Sequence, residues 1–296
     1  MKQIIISGYN GFIGSVLTPK FEKFEIYGIS NNKNKIIKNV IPIIKSINKI
    51  KSSDFKKSVQ TIIHLGAISD VTYCNKHPEN CYETNVIGTN RLLEIARKDD
   101  ANFIFASTSH VYGNPKKLPI KENDKTDPLS IYSSSKILAE RMCETYSKLY
   151  GLNITVLRLF SVYGPNSPKH NIIRNIINQI RTKPQVTLGN VNSKRDFIHI
   201  DDVTNAFFKV SKSQKKGFNT YNICTNKSTS IKEICEKLIK QNKIGIPIIS
   251  DKKKLRENDA PEIRGSFLKF KKQYDWTPKI NLEYGLKTTF YKQDKI

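Results

Sequence analysis

A glycine-rich turn follows the first apolar run of the chain, and it constrains the fold more than any other feature. The apolar run Gln3–Ser7 predicts a strand, and residues 15–21 predict a helix. Between them, Gly8, Gly11 and Gly14 recur at every third position. Gly8 permits a tight turn, Gly11 lets backbone amides approach a pyrophosphate, and Gly14 lets the helix pack closely on the strand. The sequence therefore predicts a phosphate-binding loop at a helix N-terminus.

Short apolar runs alternate with amphipathic stretches through the first half of the chain. The predicted strands are Gln3–Ser7, 25–29, 61–65, 102–106 and Ile154–Leu159. Residues 83–98 and 134–150 have apolar side chains at helical spacing. Strands that alternate with helices are typical of an α/β protein with a doubly wound parallel sheet, and we predict that fold.

After residue 160 the predicted loops become longer and contain proline. Helices are predicted over 172–180, 231–240 and 282–290. We predict a nucleotide-binding domain of residues 1–160 plus about 196–212. Residues 161–195 and 213–296 then form a smaller C-terminal cap that binds substrate.

Composition and charge exclude several classes of protein. Lysine and arginine number 50 against 26 acidic residues, which gives a formal net charge of +24. The longest basic run, residues 252–254, has no interleaved aromatic side chain, so we attribute the charge to a lysine-rich composition and expect neither a nucleic-acid nor a membrane partner. The five cysteines form no CxxC pair. The first apolar run is three residues long and no apolar stretch reaches membrane length, so we predict neither a secretory leader nor a membrane-spanning helix. We expect a cytoplasmic protein with reduced thiols and no metal site.

A tyrosine and a lysine stand four residues apart at the start of a predicted helix. Tyr132 and Lys136 therefore share one helix face. A neighbouring ammonium favours the phenolate and lowers the pKa of a tyrosine, so the pair is suited to moving a proton on and off an alcohol oxygen. About 25 residues upstream, a strand ends in the hydroxyl residues Ser107, Thr108 and Ser109.

This combination resembles the extended short-chain dehydrogenase/reductase family, specifically its nucleotide-sugar epimerases, reductases and dehydratases. Further segments resemble family motifs in the same order along nearly the whole chain. They are residues 63–67, 85–89, 158–165, 195–203, 221–223, 256–259 and 275–278.

The resemblance implies a Rossmann-like fold and assigns roles to individual residues. Tyr132 is the acid/base, Lys136 binds the nicotinamide ribose and lowers the pKa of the tyrosine, and Thr108 orients the sugar hydroxyl. The substrate-binding candidates are Ser109, Ser161, Arg195 and Arg256. With Tyr132 and Lys136, the cofactor-binding candidates are Gly8, Gly11, Phe12, Ile13, Gly14, Ser30, Asn31, Lys33, Leu65, Gly66, Ala67 and Asn85.

Departures from the family pattern narrow the chemistry. Dehydratases of the family have Asp-Glu directly after the catalytic threonine, where this chain has Ser109 and His110, so we expect no 4,6-dehydratase. His110 is open to two interpretations, an added proton relay or a packed strand-end residue. No acid follows the second strand to bind the adenosine ribose. Instead, Ser30 and Asn31 with Lys33 or Lys35 suit a 2′-phosphate, which favours NADP.

The sequence thus predicts an NAD(P)-dependent enzyme that acts on a nucleoside-diphosphate sugar. We favour a C4 epimerase, which oxidises and reduces C4 by hydride transfer and recycles NAD. An NADPH-dependent reductase of 4-keto-6-deoxy sugars is the alternative, and a non-catalytic NAD(P)-binding regulatory protein is an alternative of another class. The resemblance also implies a homodimer built from the helices at 83–98 and 134–150.

Overall fold

A computed structural model describes residues 3–32, 37–252 and 260–292 of the chain. Its main feature is a seven-stranded sheet with the strand order β11-β6-β5-β4-β1-β2-β3. The strands are β1 (Gln3–Ser7), β2 (Glu25–Ser30), β3 (Val40–Ile44), β4 (Thr61–His64), β5 (Asn102–Thr108), β6 (Ile154–Leu159) and β11 (Phe218–Ile223).

All strand pairs from β3 across to β6 are parallel. Strands β1, β4 and β6 are buried along their whole length, which is typical of a parallel sheet covered on both faces. The carboxyl ends of parallel strands meet at one edge of the sheet, so the residues that follow β1, β4 and β5 are brought together there. The predicted doubly wound, Rossmann-like fold is confirmed.

The chain divides into two compact units. The first contains residues 1–111, 126–159 and 204–221. Its helices are α1 (Phe12–Leu17), α2 (Val71–Lys76), α3 (Pro78–Tyr82), α4 (Gly88–Asp99) and α5 (Ile131–Tyr150), together with most of α7 (Ile200–Lys212). A π-helical segment, Glu83–Ile87, leads into α4, and short 3₁₀ turns lie at Thr18–Phe21, Ile47–Lys49, Ser52–Asp54 and Ser109–Tyr112.

The second unit contains residues 112–125, 160–203 and 222–296. Its helices are α6 (Ile172–Thr182), α8 (Ile231–Gln241), α9 (Leu268–Tyr274) and α10 (Leu282–Lys292). The apolar faces of α6, α8 and α10 form a common core. Its strands are β7 (Ser161–Tyr163), β8 (Val186–Leu188), β9 (Lys194–Arg195), β10 (Phe197–His199), β12 (Thr229–Ser230), β13 (Ile248–Ser250) and β14 (Glu262–Ile263).

The sequence did not predict strand β3, which pairs with β2 at the outer edge of the sheet. Its sequence is apolar, but Pro42 lies at its centre, and a proline within an apolar run argues against a strand. None of its residues is fully buried. An edge position tolerates a proline because one side of the strand needs no hydrogen-bond donor. Within the described ranges, no helix is long and apolar enough to cross a lipid bilayer.

Candidate active site

Thr108, Tyr132 and Lys136 come together where β5 ends and α5 begins. A capping box formed by Ser130 and Ser133 fixes the first turn of α5, which holds Tyr132. The Thr108 hydroxyl lies close enough to Tyr132 to lower the pKa of its phenol. Lys136 lies one turn further along the helix, and all three residues are buried. The geometry supplies an acid/base group and a neighbouring cation in a site with little water.

The pKa of Tyr132 is raised, whereas the spacing of Tyr132 and Lys136 predicted that it would be lowered. Burial raises the pKa of Tyr132 to about 12, and the neighbouring Thr108 hydroxyl opposes this only in part. The Nζ atom of Lys136 lies 4.1 Å from the centre of the Phe105 ring. Burial lowers the pKa of Lys136 to about 8, against the opposing effect of the Glu140 carboxylate. In this protein, burial rather than the charge of Lys136 determines the direction of the Tyr132 pKa shift.

Glu140 belongs to a buried ion pair that sequence reasoning missed. The guanidinium of Arg158 donates to the Glu140 carboxylate, with Nη2 at 2.7 Å from Oε2 and Nε at 3.1 Å from Oε1. The Ser107 hydroxyl also donates to this carboxylate. A glutamate one turn after Lys136, on the face of α5 that meets the sheet, was the available sequence signal.

The glycine loop after β1 has the form that a pyrophosphate requires. Gly8 has φ +69°, and a Cβ at Gly14 would lie 2.0 Å from the carbonyl oxygen of Gly8. Both positions therefore require glycine. No side chain caps α1 at Gly11, so the amides of Phe12 and Ile13 at the start of this helix remain suited to an anion. These residues fit the phosphates of a dinucleotide.

The segment after β4 forms the neighbouring wall of this loop. Leu65, Gly66 and Ala67 are half-buried, and a Cβ at Gly8 would lie 3.0 Å from the Gly66 nitrogen. Asn85 is fully buried, and its side-chain amide donates to the Ile68 carbonyl at 3.0 Å. The sequence interpretation made Asn85 a cofactor contact. That role stays a prediction, and its hydrogen bonds to Ile68 also hold the loop that carries Leu65, Gly66 and Ala67.

Ser30 and Asn31 lie at the end of β2, and they leave this end without an acidic side chain. The Ser30 hydroxyl accepts the amide of Asn32 at 3.1 Å. The carboxamide of Asn10, in the glycine loop, donates to the Asn32 carbonyl at 2.9 Å. This tie between the two loops was not anticipated from the sequence. Lys33 and Lys35, the other candidates for a 2′-phosphate contact, lie outside the described residues.

The substrate-binding candidates divide between the units. In the first unit, Ser109 is buried directly after Thr108. In the second unit, Ser161 and Arg195 are half-buried on β7 and β9. Nη1 of Arg195 donates to the Ala260 carbonyl at 2.9 Å. Arg256 lies outside the described residues.

His110 is exposed, so its interpretation as a packed strand-end residue is wrong. Its ring lies edge-to-face with the Tyr132 ring at 6.0 Å between centroids, and its backbone amide donates to the Thr108 hydroxyl at 3.2 Å. An exposed imidazole therefore adjoins the buried tyrosine.

Asp196 supports the strand ends around Arg195, although the sequence interpretation gave it no role. Its carboxylate is fully buried and accepts the amides of Thr225, Asn226 and Gly265 at 2.8, 2.9 and 3.2 Å. Burial raises the pKa of Asp196 to about 6, although these hydrogen bonds act in the opposite direction. The aspartate thus fixes the backbone next to a candidate substrate residue.

Comparison with known proteins identifies the family. Residues 4–224 match the model of the NAD dependent epimerase/dehydratase family. The chain belongs to this family. It is 33% identical over 236 aligned residues to a UDP-glucuronate 4-epimerase of Thermodesulfobacterium geofontis, with 78% of this chain and 72% of the relative covered.

Two further similar proteins are a reductase and an epimerase of nucleotide sugars. A GDP-6-deoxy-D-mannose reductase of Pseudomonas aeruginosa is 27% identical, with 76% of this chain and 77% of the relative covered. Among solved structures, the UDP-glucose 4-epimerase of Thermotoga maritima with UDP-glucose superposes with a TM-score of 0.92 at 26% identity, and 98% of each chain is covered. Members of this family are enzymes that use NAD(P), so the predicted enzyme class and cofactor class agree with the comparisons.

Proposed function

We propose that this protein is an NAD(P)-dependent C4 epimerase of a nucleoside-diphosphate sugar. The observation that carries the proposal is the placement of Thr108 beside Tyr132, with Lys136 one helical turn away in the same buried site. A protein that only binds a dinucleotide does not need this set. Relatives named as 4-epimerases of UDP-sugars support the choice of reaction and of substrate class.

The chain's own residues would act on the C4 hydroxyl of the sugar. Thr108 would orient this hydroxyl. Tyr132 would take its proton when C4 is oxidised, and would return a proton to the same oxygen when C4 is reduced from the opposite face. Lys136 would supply the positive charge that favours the phenolate, and Glu140 helps to keep Lys136 charged. A bound nicotinamide supplies the redox chemistry at C4.

The remaining candidate residues would hold the two phosphate-bearing molecules. Gly11, Phe12 and Ile13 would bind the pyrophosphate of the dinucleotide through backbone amides. Arg195 would contact the substrate diphosphate, because a guanidinium matches phosphate oxygens with two parallel hydrogen bonds. Ser161 would add a hydroxyl contact to the same group.

Dehydratase chemistry has little support at this site. Eliminating water from a sugar needs a second acid/base group beside the tyrosine. The residues that follow Thr108 are Ser109 and His110, and neither is a carboxylate. We therefore propose an epimerase or a reductase rather than a 4,6-dehydratase.

One observation favours a 4-keto reductase as the second candidate. With a pKa of about 12, Tyr132 retains its proton at neutral pH, and a protonated phenol is what the reduction of a ketone requires. The end of β2 also lacks the acid that would select NAD over NADP within the described residues. The reductase would consume NADPH in each turnover.

The two candidates predict different contents of the purified protein. The protein should be denatured and the released dinucleotide identified and quantified. Stoichiometric NAD, together with interconversion of a UDP-hexose and its C4 epimer, supports the epimerase. An empty site that binds NADPH in preference to NAD, together with reduction of a 4-keto sugar, supports the reductase. If neither dinucleotide binds, both proposals fail.

A tyrosine-to-phenylalanine change provides the matched control for catalysis. Tyr132→Phe removes only the hydroxyl, and general acid–base catalysis contributes about 10²–10⁴-fold to rates. We expect turnover to fall by this factor while the dinucleotide remains bound. An unchanged turnover would remove Tyr132 from the mechanism.

We also propose that the protein is a homodimer. Leu138 and Leu149, on α5, expose 47% and 69% of their surface, so burial against the sheet does not explain these apolar residues. Leu138 borders a surface hollow that Val86 and Met142 also line. In a homodimer, α4 and α5 of one copy would pack against α4 and α5 of the other and would cover this face. Leu138→Glu should convert a dimer to a monomer in light scattering, and a monomeric wild-type protein would refute the proposal.

A further inference from the structure

Ser7 and His64 face each other across paired strands at the edge of the sheet that carries the site. They are register partners at the ends of β1 and β4, and both are buried. The Ser7 hydroxyl oxygen accepts the amides of Leu65 at 3.1 Å and Gly66 at 3.0 Å. A hydroxyl has two acceptor positions and one proton, so the Ser7 proton is directed to the third partner, Nδ1 of His64 at 2.8 Å.

The other ring nitrogen of His64 is fixed in the same way. Nε2 lies 2.9 Å from the hydroxyl oxygen of Thr89. The single proton of Thr89 is donated to the carbonyl of Asn85 at 2.6 Å. Thr89 must therefore accept from His64, which means that Nε2 carries the ring proton and Nδ1 carries none. The network is satisfied only by the neutral Nε2–H tautomer.

The surroundings of His64 also favour a neutral ring. The rings of Phe103 and Phe105, on the neighbouring strand β5, lie 6.0 and 5.4 Å from the His64 ring. The charged group that acts on it is Lys136 of α5. Burial and this positive charge both hold the pKa of His64 well below its ordinary value.

The chain of hydrogen bonds continues from Asn85 to the catalytic helix. The Asn85 side-chain amide donates to the Ser135 hydroxyl at 2.9 Å. Ser135 donates in turn to the Tyr132 carbonyl at 2.7 Å. A continuous buried series thus joins the amide of Gly66, beside the phosphate loop, to the backbone of Tyr132.

We propose that His64 is a positioning residue that couples the wall of the dinucleotide site to the first turn of α5. Through Ser7 it holds the backbone of Gly66 against Gly8, and through Thr89 and Asn85 it holds the turn that carries Tyr132. The inference rests on the proposed function in one respect, since the ligand it serves is the dinucleotide. The hydrogen-bond directions themselves depend only on the protein.

A direct test is the tautomer of His64 in the ligand-free protein. Among five histidines, the signals of His64 in a ¹⁵N-histidine NMR spectrum are assigned by their loss in His64→Phe. The expected result is a neutral ring that is protonated at Nε2 at neutral pH. A ring protonated at Nδ1, or at both nitrogens, would overturn the proposal.

Three threonine variants test the coupling. Thr89→Val removes the hydroxyl that receives the His64 proton, whereas Thr89→Ser keeps it. Thr155→Val makes the same change on buried β6, where the hydroxyl has no hydrogen-bond partner among the described residues. We expect Thr89→Val to weaken NAD(H) binding about tenfold, the effect of one lost hydrogen bond. Thr89→Ser and Thr155→Val should bind within about twofold of wild type.

Amide exchange separates positioning from a merely structural role. In Thr89→Val the Gly66 amide should exchange faster with solvent, while amides in the middle of β6 keep their protection. If the variant lowers thermal stability but changes neither dinucleotide affinity nor Gly66 exchange, the coupling is refuted. If the wild-type protein binds no dinucleotide, the proposed function fails, and the tautomer and the exchange rates still decide the arrangement of His64.

Discussion

Replacing Arg158 with leucine leaves the carboxylate of Glu140 buried without its cation. The exposed fractions of the two side chains are 8% for Arg158 and 4% for Glu140, so water does not replace the lost partner. Removing one partner of a buried pair costs about 3–5 kcal/mol, against a total folding free energy of about 5–15 kcal/mol. Arg158→Leu should therefore remove a large part of the stability of the first unit.

Arg97 provides the matched control. It donates two hydrogen bonds to Glu94, at 2.9 and 3.3 Å, but the two side chains are 36% and 37% exposed. The same change, Arg97→Leu, should cost less than about 1 kcal/mol because exposed pairs are weak. The double variant Glu140→Leu/Arg158→Leu removes both buried charges and should recover much of the loss.

The stability of wild type, the two single variants and the double variant is measured by denaturant unfolding followed by circular dichroism. The midpoint denaturant concentration should be highest for wild type and should fall in the order Arg97→Leu, the double variant and Arg158→Leu. A cost for Arg158→Leu no larger than that of Arg97→Leu would refute the reasoning, because it would mean that the pair is hydrated. A double variant less stable than Arg158→Leu would refute the argument that the unpaired charge causes the loss.

The ion pair also influences the site. Glu140 raises the pKa of Lys136, which burial lowers to about 8. Glu140→Gln removes this support, so Lys136 should lose its proton at lower pH. The alkaline limb of the activity profile should then move to lower pH than in the wild-type enzyme.

Three further outcomes follow from the geometry. Gly14→Ala should abolish dinucleotide binding in a titration, because its Cβ would lie 2.0 Å from a backbone oxygen, whereas Gly245→Ala meets no atom within 4 Å and should bind normally. Because the pKa of His64 is lowered in the folded protein, only the unfolded chain binds a proton at this residue just below pH 6.5. The free energy of unfolding should therefore fall as pH drops below about 6.5. In His64→Phe the free energy of unfolding should depend less steeply on pH. His110→Gln should slow reduction of a 4-keto sugar about tenfold, with unchanged dinucleotide affinity, if the exposed imidazole exchanges the Tyr132 proton with solvent; equal rates would exclude this relay.

The features that the sequence determined are those set by local spacing. The glycines of the first loop are three residues apart, and their function depends on backbone geometry within a few residues. Tyr132 and Lys136 share a helix face because one helical turn takes 3.6 residues. The alternation of strands and helices is likewise a local pattern, and it was sufficient to predict the doubly wound sheet.

The tertiary structure decided what depends on burial and on residues distant in sequence. The high pKa of Tyr132 is a consequence of burial, which the Tyr-Lys spacing does not contain. The pairing of Glu140 with Arg158 and the hydrogen bonds of His64 join positions 18 to 57 residues apart. Such partners are selected by the register of the sheet and the packing of α4 and α5 on it, so only the assembled fold reveals the tautomer of His64.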